Sequence, residues 1–303
     1  SSSAASDVYK RQAEIGARAR AASAPAEARP RLPARFVLGA DEPRQTLTAE
    51  LRLTPLGVRL DSDGDRRFAT VVFADRDNKH ALVLKKEWPA PPSGKPKDGF
   101  DLGELYASSR LTLAALTRAD LVARGALRRA NGEIDLGSAR GLKSSALPGE
   151  VAWADLPAPL QIRDLRAFED ALRAAPPAFL APRRAGADVH VIGVSAVRGV
   201  VYRRGEQTLS AELVDPSGGS FLLRVQHRSV SPGAIDATAA ALARGPRFVA
   251  GELTLGRSGF VLSPLAILGE RLVVPDLEKP RAIELPPADP SALTEADDPL
   301  DTP

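Results

Sequence analysis

Cysteine is absent from all 303 residues. That excludes disulfides, thiol nucleophiles and every cysteine-based zinc or iron–sulfur site, and it fits a reducing compartment, so a cytoplasmic location is expected. Histidine is nearly as scarce. His80, His190 and His227 are the only three, and none has a second ligand two to four residues away. No metal site is expected from such scattered ligands. Aromatic residues amount to 5% of the chain, thin supply for a surface that stacks bases. Long apolar runs are missing as well. Stretches such as SALPGEVAWADLPAPL are interrupted by charges and prolines, so no segment has the unbroken apolar length of a membrane helix.

Motifs of catalysis are imitated and then broken. DSDGD (Asp61, Asp63, Asp65) has the carboxylate alternation of a calcium loop, but Arg66 and Val72 stand where the loop needs Gly and Glu. SGKPKDG resembles a phosphate loop, yet Pro96 replaces the hydroxyl residue after Lys95 and the earlier glycine is missing. GVSAV has Val197 in place of the second glycine of a nucleophile elbow. No catalytic residue and no cofactor follow, and the chain reads as non-enzymatic.

Present instead is an ordinary globular composition, 44% hydrophobic and 26% charged, with length for two domains. Residues 1–12 stand apart. Ser2 to Gln12 back-translate to a widely used transposon-based sequencing adapter, so this stretch is expected to be a read or assembly scar with native sequence missing upstream. Without it, and without the tail from Glu284 that holds six acids and no base, residues 13–283 carry +8, from 39 basic and 31 acidic residues. Such a surplus permits a polyanionic partner. It also follows from arginine-rich codon usage alone.

The β-rich runs recur in the same order in both halves. TLTAELRLTPLGVRLDSDGD is a long strand kinked at Pro55–Gly57, followed by a hairpin around DRDN, a helix in RLTLAALTRAD and a hairpin at Asn131–Gly132. Further on, VHVIGVSAVRGVVYRR is a long strand bent near Gly199. A hairpin around DPSGG, a helix in GAIDATAAALARG and a hairpin at Ser258–Gly259 complete the second set. Gly64 and Gly205 are 141 residues apart, while Gly132 and Gly259 are 127 apart, and the loop PAPPSGKPKDGFDL accounts for the difference. A diverged duplication would leave such a trace.

This order, three strands, a helix and two strands, resembles the oligonucleotide/oligosaccharide-binding (OB) fold. The resemblance implies a mainly β protein: two tandem OB-like five-stranded barrels, each with a short helix, plus a connecting helix and disordered ends. The expected layout is a flexible Ala/Arg/Pro arm over 13–45, the first barrel over 46–143 and a connector over 144–186 with a helix at about 163–175. The second barrel spans 187–270, and an acidic, Pro-rich tail runs over 271–303. In the connecting helix, Leu165, Phe168, Ala171 and Leu172 form a stripe expected to pack on a barrel.

Two functions compete. The first is an adaptor presenting its barrels to protein partners. The alternative is a binder of single-stranded DNA or RNA, using Lys85, Lys86 and Trp88 in the first barrel and Tyr202, Arg204, Arg224, His227 and Arg228 in the second. Strand alternation turns Phe221, Leu223, Val225 and His227 inward, leaving Arg224 and Arg228 outside. A third reading makes the chain an accessory part of an enzyme whose catalytic domain lies upstream. The scarcity of stacking residues puts the adaptor first.

Overall fold

Thr46–Asp63 alternates apolar and polar residues through most of its length and forms a single 18-residue strand, β1. The computed structural model describes residues 46–281, apart from residues 109, 137–142, 148–149, 176–183 and 257, together with part of 12–23. The described residues of that last stretch are helical, where a flexible Ala/Arg/Pro arm was expected over 13–45. The acidic residues from 282 onward and most of the arm lie outside the described residues.

In the first unit β1 pairs antiparallel with β2 (Arg66–Asp75), and β2 with β3 (His80–Trp88). Two short helices follow, α1 (Gly99–Gly103) and α2 (Leu113–Arg118). The second starts where the Thr112 hydroxyl accepts the Ala115 N–H at 3.2 Å, and it buries Leu113 and Leu116. β4 (Asp120–Arg128) returns against the first part of β1, then turns through Gly132, whose φ of 85° suits the tight reversal, into β5 (Ile134–Asp135). β1 serves both β2 and β4 because it bends at the register shift between Pro55 and Gly57, as its sequence suggested.

Within the segment expected as a connector, β6 (Lys143–Leu147) adds an edge strand beside β4. A 3₁₀ turn at Trp153–Asp155 drives a fully buried Trp153 into the first core, where its Nε1–H donates to the Pro55 carbonyl at 2.9 Å. β7 (Gln161–Ile162) leads into α3 (Leu165–Ala174), whose first N–H groups are capped by the Asp164 carboxylate. Its stripe packs only at the start: Leu165 is buried and Phe168 meets the second core, but Leu172 is 44% exposed.

The second unit repeats the first. β8 (Val189–Gly193) and β9 (Ala196–Arg203) are two halves of one bent strand, followed by β10 (Thr208–Val214), β11 (Ser220–Gln226), α4 (Ala234–Ala243), β12 (Phe248–Gly256) and β13 (Gly259–Leu268). β8 pairs antiparallel with β12 and β9 with β10, while β11 runs parallel to β13. The first unit shows the same order of pairing, with its parallel contact reduced to one isolated bridge between Val83 and Glu133. A mainly β chain with matching strand order in two sheets was legible from the sequence.

Closure and size differ from the five-stranded expectation. The sheets contain six and eight strands, enlarged by β6, β7 and β14 (Leu272–Val273), and neither hydrogen-bonded path returns to its start. In the first, one isolated bridge spans the gap. In the second, the path ends at β7 and β9, and β8, next to β7, is separated from β9 in sequence only by Val194 and Ser195.

The units share a core. Outward-facing Val189, Val191, Ala250, Leu265 and Ala266 of the second unit belong to the same buried cluster as the strands of the first. Burying them together removes apolar surface at about 25 cal/mol per Å². Polar groups complete the joint. Arg59 donates to the Ser263 hydroxyl at 2.7 Å and lies 3.6 Å from Glu252. Burial pushes the Glu252 carboxyl above its ordinary range, and the Arg59 charge opposes this. Residues 271–281, expected to open the acidic, Pro-rich tail, are part of the joint instead: β14 pairs with β13, and Val274, Pro275, Asp276 and Leu277 are buried.

Candidate functional site

Oligonucleotide and oligosaccharide ligands of OB folds lie on the outer face of the second and third strands. In the second unit this is the outer face of β9, β10 and β11, and register places its residues in rows. Arg198 faces Glu212, which faces Leu222, beside Val261 on β13. Val201, Ser210 and Arg224 form the next row, and Arg203, Thr208 and Gln226 the third. Leu209, Ala211, Leu213, Phe221, Leu223 and Val225 take the opposite face and are buried. Arg198, Arg203 and Gln226 are exposed; Glu212, Leu222 and Arg224 are half-buried. The face combines acid, base and apolar groups within three rows.

The residues singled out for nucleic acid do not form one surface. Arg224 lies on the outer face of β11, as alternation required, and Arg204 is exposed in the turn after β9. Tyr202 pairs with Leu209 and turns into the second core. His227 is exposed, and its backbone N–H donates to the Gln207 carbonyl at 2.9 Å. Arg228 points away from the rows: its guanidinium joins Asp276 and the Leu60 carbonyl across the units. In the first unit, Lys85 Nζ is 2.6 Å from Glu133 and holds that carboxyl below its ordinary range. Lys86 is half-buried opposite Ala69, and Trp88 packs against the first core.

Arg198 and Arg203 went unrecognised in the sequence for a physical reason. A bulge near Gly199, at a φ of 53°, falls between Arg198 and Val201. It inserts a residue and reverses the odd–even assignment of faces. Only the register reveals that Arg198 and Arg203 share a side.

His190 is a buried structural group. Its Nδ1–H donates to the Pro159 carbonyl at 2.8 Å and its ring meets Phe168 edge-on at 5.0 Å. Desolvation holds it below the ordinary imidazole range, against the opposing effects of that hydrogen bond and the Asp188 charge.

The strand pairing of both units is that of an OB fold, and a family description agrees for the second. Residues 186–300 match the family model of the YehQ C-terminal OB-fold domain. Protein YehQ of Escherichia coli K12 is 26% identical over 244 residues, which cover 75% of this chain and 38% of that protein. The chain therefore spans well under half the length of this relative. Among solved structures, a replication protein A heterotrimer bound to ssDNA has 12% identity and a TM-score of 0.36, over 77% of this chain and 51% of that one. The Ifi202 HINa domain in complex with 20bp dsDNA has 8% identity and a TM-score of 0.30, over 72% and 93%. No helix among the described residues is long and apolar enough to cross a membrane.

Proposed function

We propose that the chain is a non-catalytic binding module whose second unit presents the outer face of β9, β10 and β11 to a protein partner. The composition of that face carries the reading. Arg198, Glu212, Leu222 and Val261 follow one another in a single row, so a pair of opposite charges adjoins a pair of apolar groups on neighbouring strands. Such a mixture suits the complementary charges and apolar contacts of a protein interface. A strand of bases wants exposed rings on a basic groove, whereas Trp88 and Tyr202 turn toward the cores.

One observation favours single-stranded nucleic acid as a second reading. Arg198, Arg203 and Arg204 are exposed, and Arg224 shares the face of the first two. One experiment separates the readings. A photo-crosslinker at Leu222 is expected to give a discrete protein adduct in native extract that disappears with Glu212→Arg and is absent when the crosslinker is at Glu270. An adduct unchanged by Glu212→Arg would count against this face. Fluorescence anisotropy with labelled single-stranded DNA and RNA is the counter-test. Binding tighter than roughly 100 μM, falling steeply with salt and lost in Arg224→Glu, would move the assignment to nucleic acid.

A further inference from the structure

The face of the first unit that corresponds to this surface has a different fate. Its outer rows run Thr54–Ala74–Ala81, Gly57–Val72–Val83 and Arg59–Thr70–Lys85 across β1, β2 and β3. Ala74, Ala81, Val72 and Val83 are buried although they point away from their own sheet's interior. Two parts of the chain cover them. At the β1 end, a Cβ on Gly57 would sit 2.5 Å from the Leu265 carbonyl oxygen, so the backbone of β13 lies against this strand. Over β2 and β3 runs the turn at residues 184–188. A Cβ on Gly186 would lie 3.1 Å from Val83, 3.2 Å from Ala81 and 3.6 Å from Val72. The Ala185 N–H donates to the Asn131 carbonyl at 2.7 Å and fastens the turn there.

The side chains follow this division. Ala81 and Leu222 are 141 residues apart, as are Val83 and Arg224, and the same spacing relates the inward-facing Leu82 and Leu84 to Leu223 and Val225. The positions that hold half-exposed Leu222 and Arg224 in the second unit thus hold buried Ala81 and Val83 in the first. The face that receives the first unit, on β8, β12 and β13, is apolar at Val191, Ala250 and Ala266. Its counterpart on the first unit carries Glu50 paired with Arg52 at 3.4 Å and Arg124 at 3.1 Å, and all three are exposed. A charged, solvated surface of that kind does not repeat the apolar docking face of β8, β12 and β13.

We infer that the outer rows Thr54–Ala74–Ala81 and Gly57–Val72–Val83 of the first unit are closed to a ligand, covered by the second unit and the 184–188 turn, and that among the described residues the ligand face lies on the second unit, where the matching Leu222 and Arg224 stay half-exposed. The inference rests on the proposed function only for what the open face binds. The covering is read without any ligand. The chain has no cysteine, so single-cysteine variants report one site each. Val83→Cys and Ala81→Cys are expected to react with a thiol reagent about 100-fold more slowly than Leu222→Cys, because reaction requires local opening of the joint. Hydrogen exchange on the unsubstituted chain gives a second measure: the Ala185 amide should be strongly protected. Val83→Cys or Ala81→Cys labelling as fast as Leu222→Cys, or Ala185 exchanging at the rate of a free peptide, would overturn the inference. Loss of the photo-adduct at Leu222 would instead count against the binding proposal and leave this one standing.

Discussion

Arg228 and Asp276 meet at the joint between the two units, with Arg228 Nη2 2.6 and 2.7 Å from the two carboxylate oxygens. The pair is tied to the first unit at both ends: Arg228 Nη1 donates to the Leu60 carbonyl at 2.6 Å, and the Leu60 N–H donates to Asp276 at 2.8 Å. The Asp276 side chain is 4% exposed and that of Arg228 is 24% exposed. Removing one partner strands a charge in a place water barely reaches.

Asp276→Ala is therefore expected to cost about 3 kcal/mol, a fall of roughly 6–12 °C in Tm for a body of this size. Replacing both residues, Arg228→Met with Asp276→Leu, should recover much of that loss, since it removes the stranded charge. Thermal melts of the two variants decide the matter. A double variant no better than Asp276→Ala would show that the Leu60 backbone contacts dominate.

Gly57 cannot accept a side chain for two independent reasons. Its φ is 118°, and a Cβ would meet the Leu265 carbonyl oxygen at 2.5 Å. Gly57→Ala should cost about 2–4 kcal/mol through strain and a forced separation of the units. Gly64 is a useful control. It also has positive φ, 56°, but open space around it, so Gly64→Ala should cost only about 1 kcal/mol. Denaturant midpoints that are equal for the two would remove the packing half of this argument.

Trp153 and Trp88 are the two tryptophans, which makes the buried one easy to follow. Trp153→Phe keeps most of the apolar volume but leaves the Pro55 carbonyl without its donor, a loss of about 1–3 kcal/mol. Fluorescence should shift to longer wavelength, because the remaining emitter is the half-buried Trp88. Full stability together with an unshifted spectrum would contradict the burial of Trp153.

His190 gives a pH dependence of definite sign. Its folded pKa lies below the ordinary value of 6.5, so the unfolded chain binds its proton first as pH falls. The stability it contributes is complete above pH 6.5 and is lost as pH drops from there through the lower folded value. His190→Gln should flatten that part of the stability curve. Denaturant midpoints from pH 7.5 to 5 measure it, and an unchanged slope would mean that other groups set the dependence.

The main strands of both units, with α2 and α4, were legible because local chemistry specifies them: alternation in β10 and β11, the turn glycines, the short alanine-rich α4; α1, β6, β7 and β14 were not. The bend at Pro55–Gly57 was legible for the same reason, since a proline and a glycine two residues apart weaken a ladder where they occur. What was hidden depends on partners distant in sequence. Arg228 looked like an outward base because Asp276, its partner, lies 48 residues away in a stretch read as tail. Trp153 sat in a presumed connector, yet it reaches across 98 residues to Pro55. The candidate face was half visible: Arg224 followed from alternation, while Arg198 and Arg203 were concealed by the bulge.

The reach of the joint bears on how the chain is made. Leu60 waits for a contact 216 residues further along, so at about 5–20 residues per second a ribosome needs roughly 10–40 s to deliver it. Until the 184–188 turn and then β13 are made, the alanines and valines on the leading unit have no cover and invite wrong neighbours. Assembly of this protein is thus a race between synthesis and sticking, and slower translation before Asp276 should lower its soluble yield.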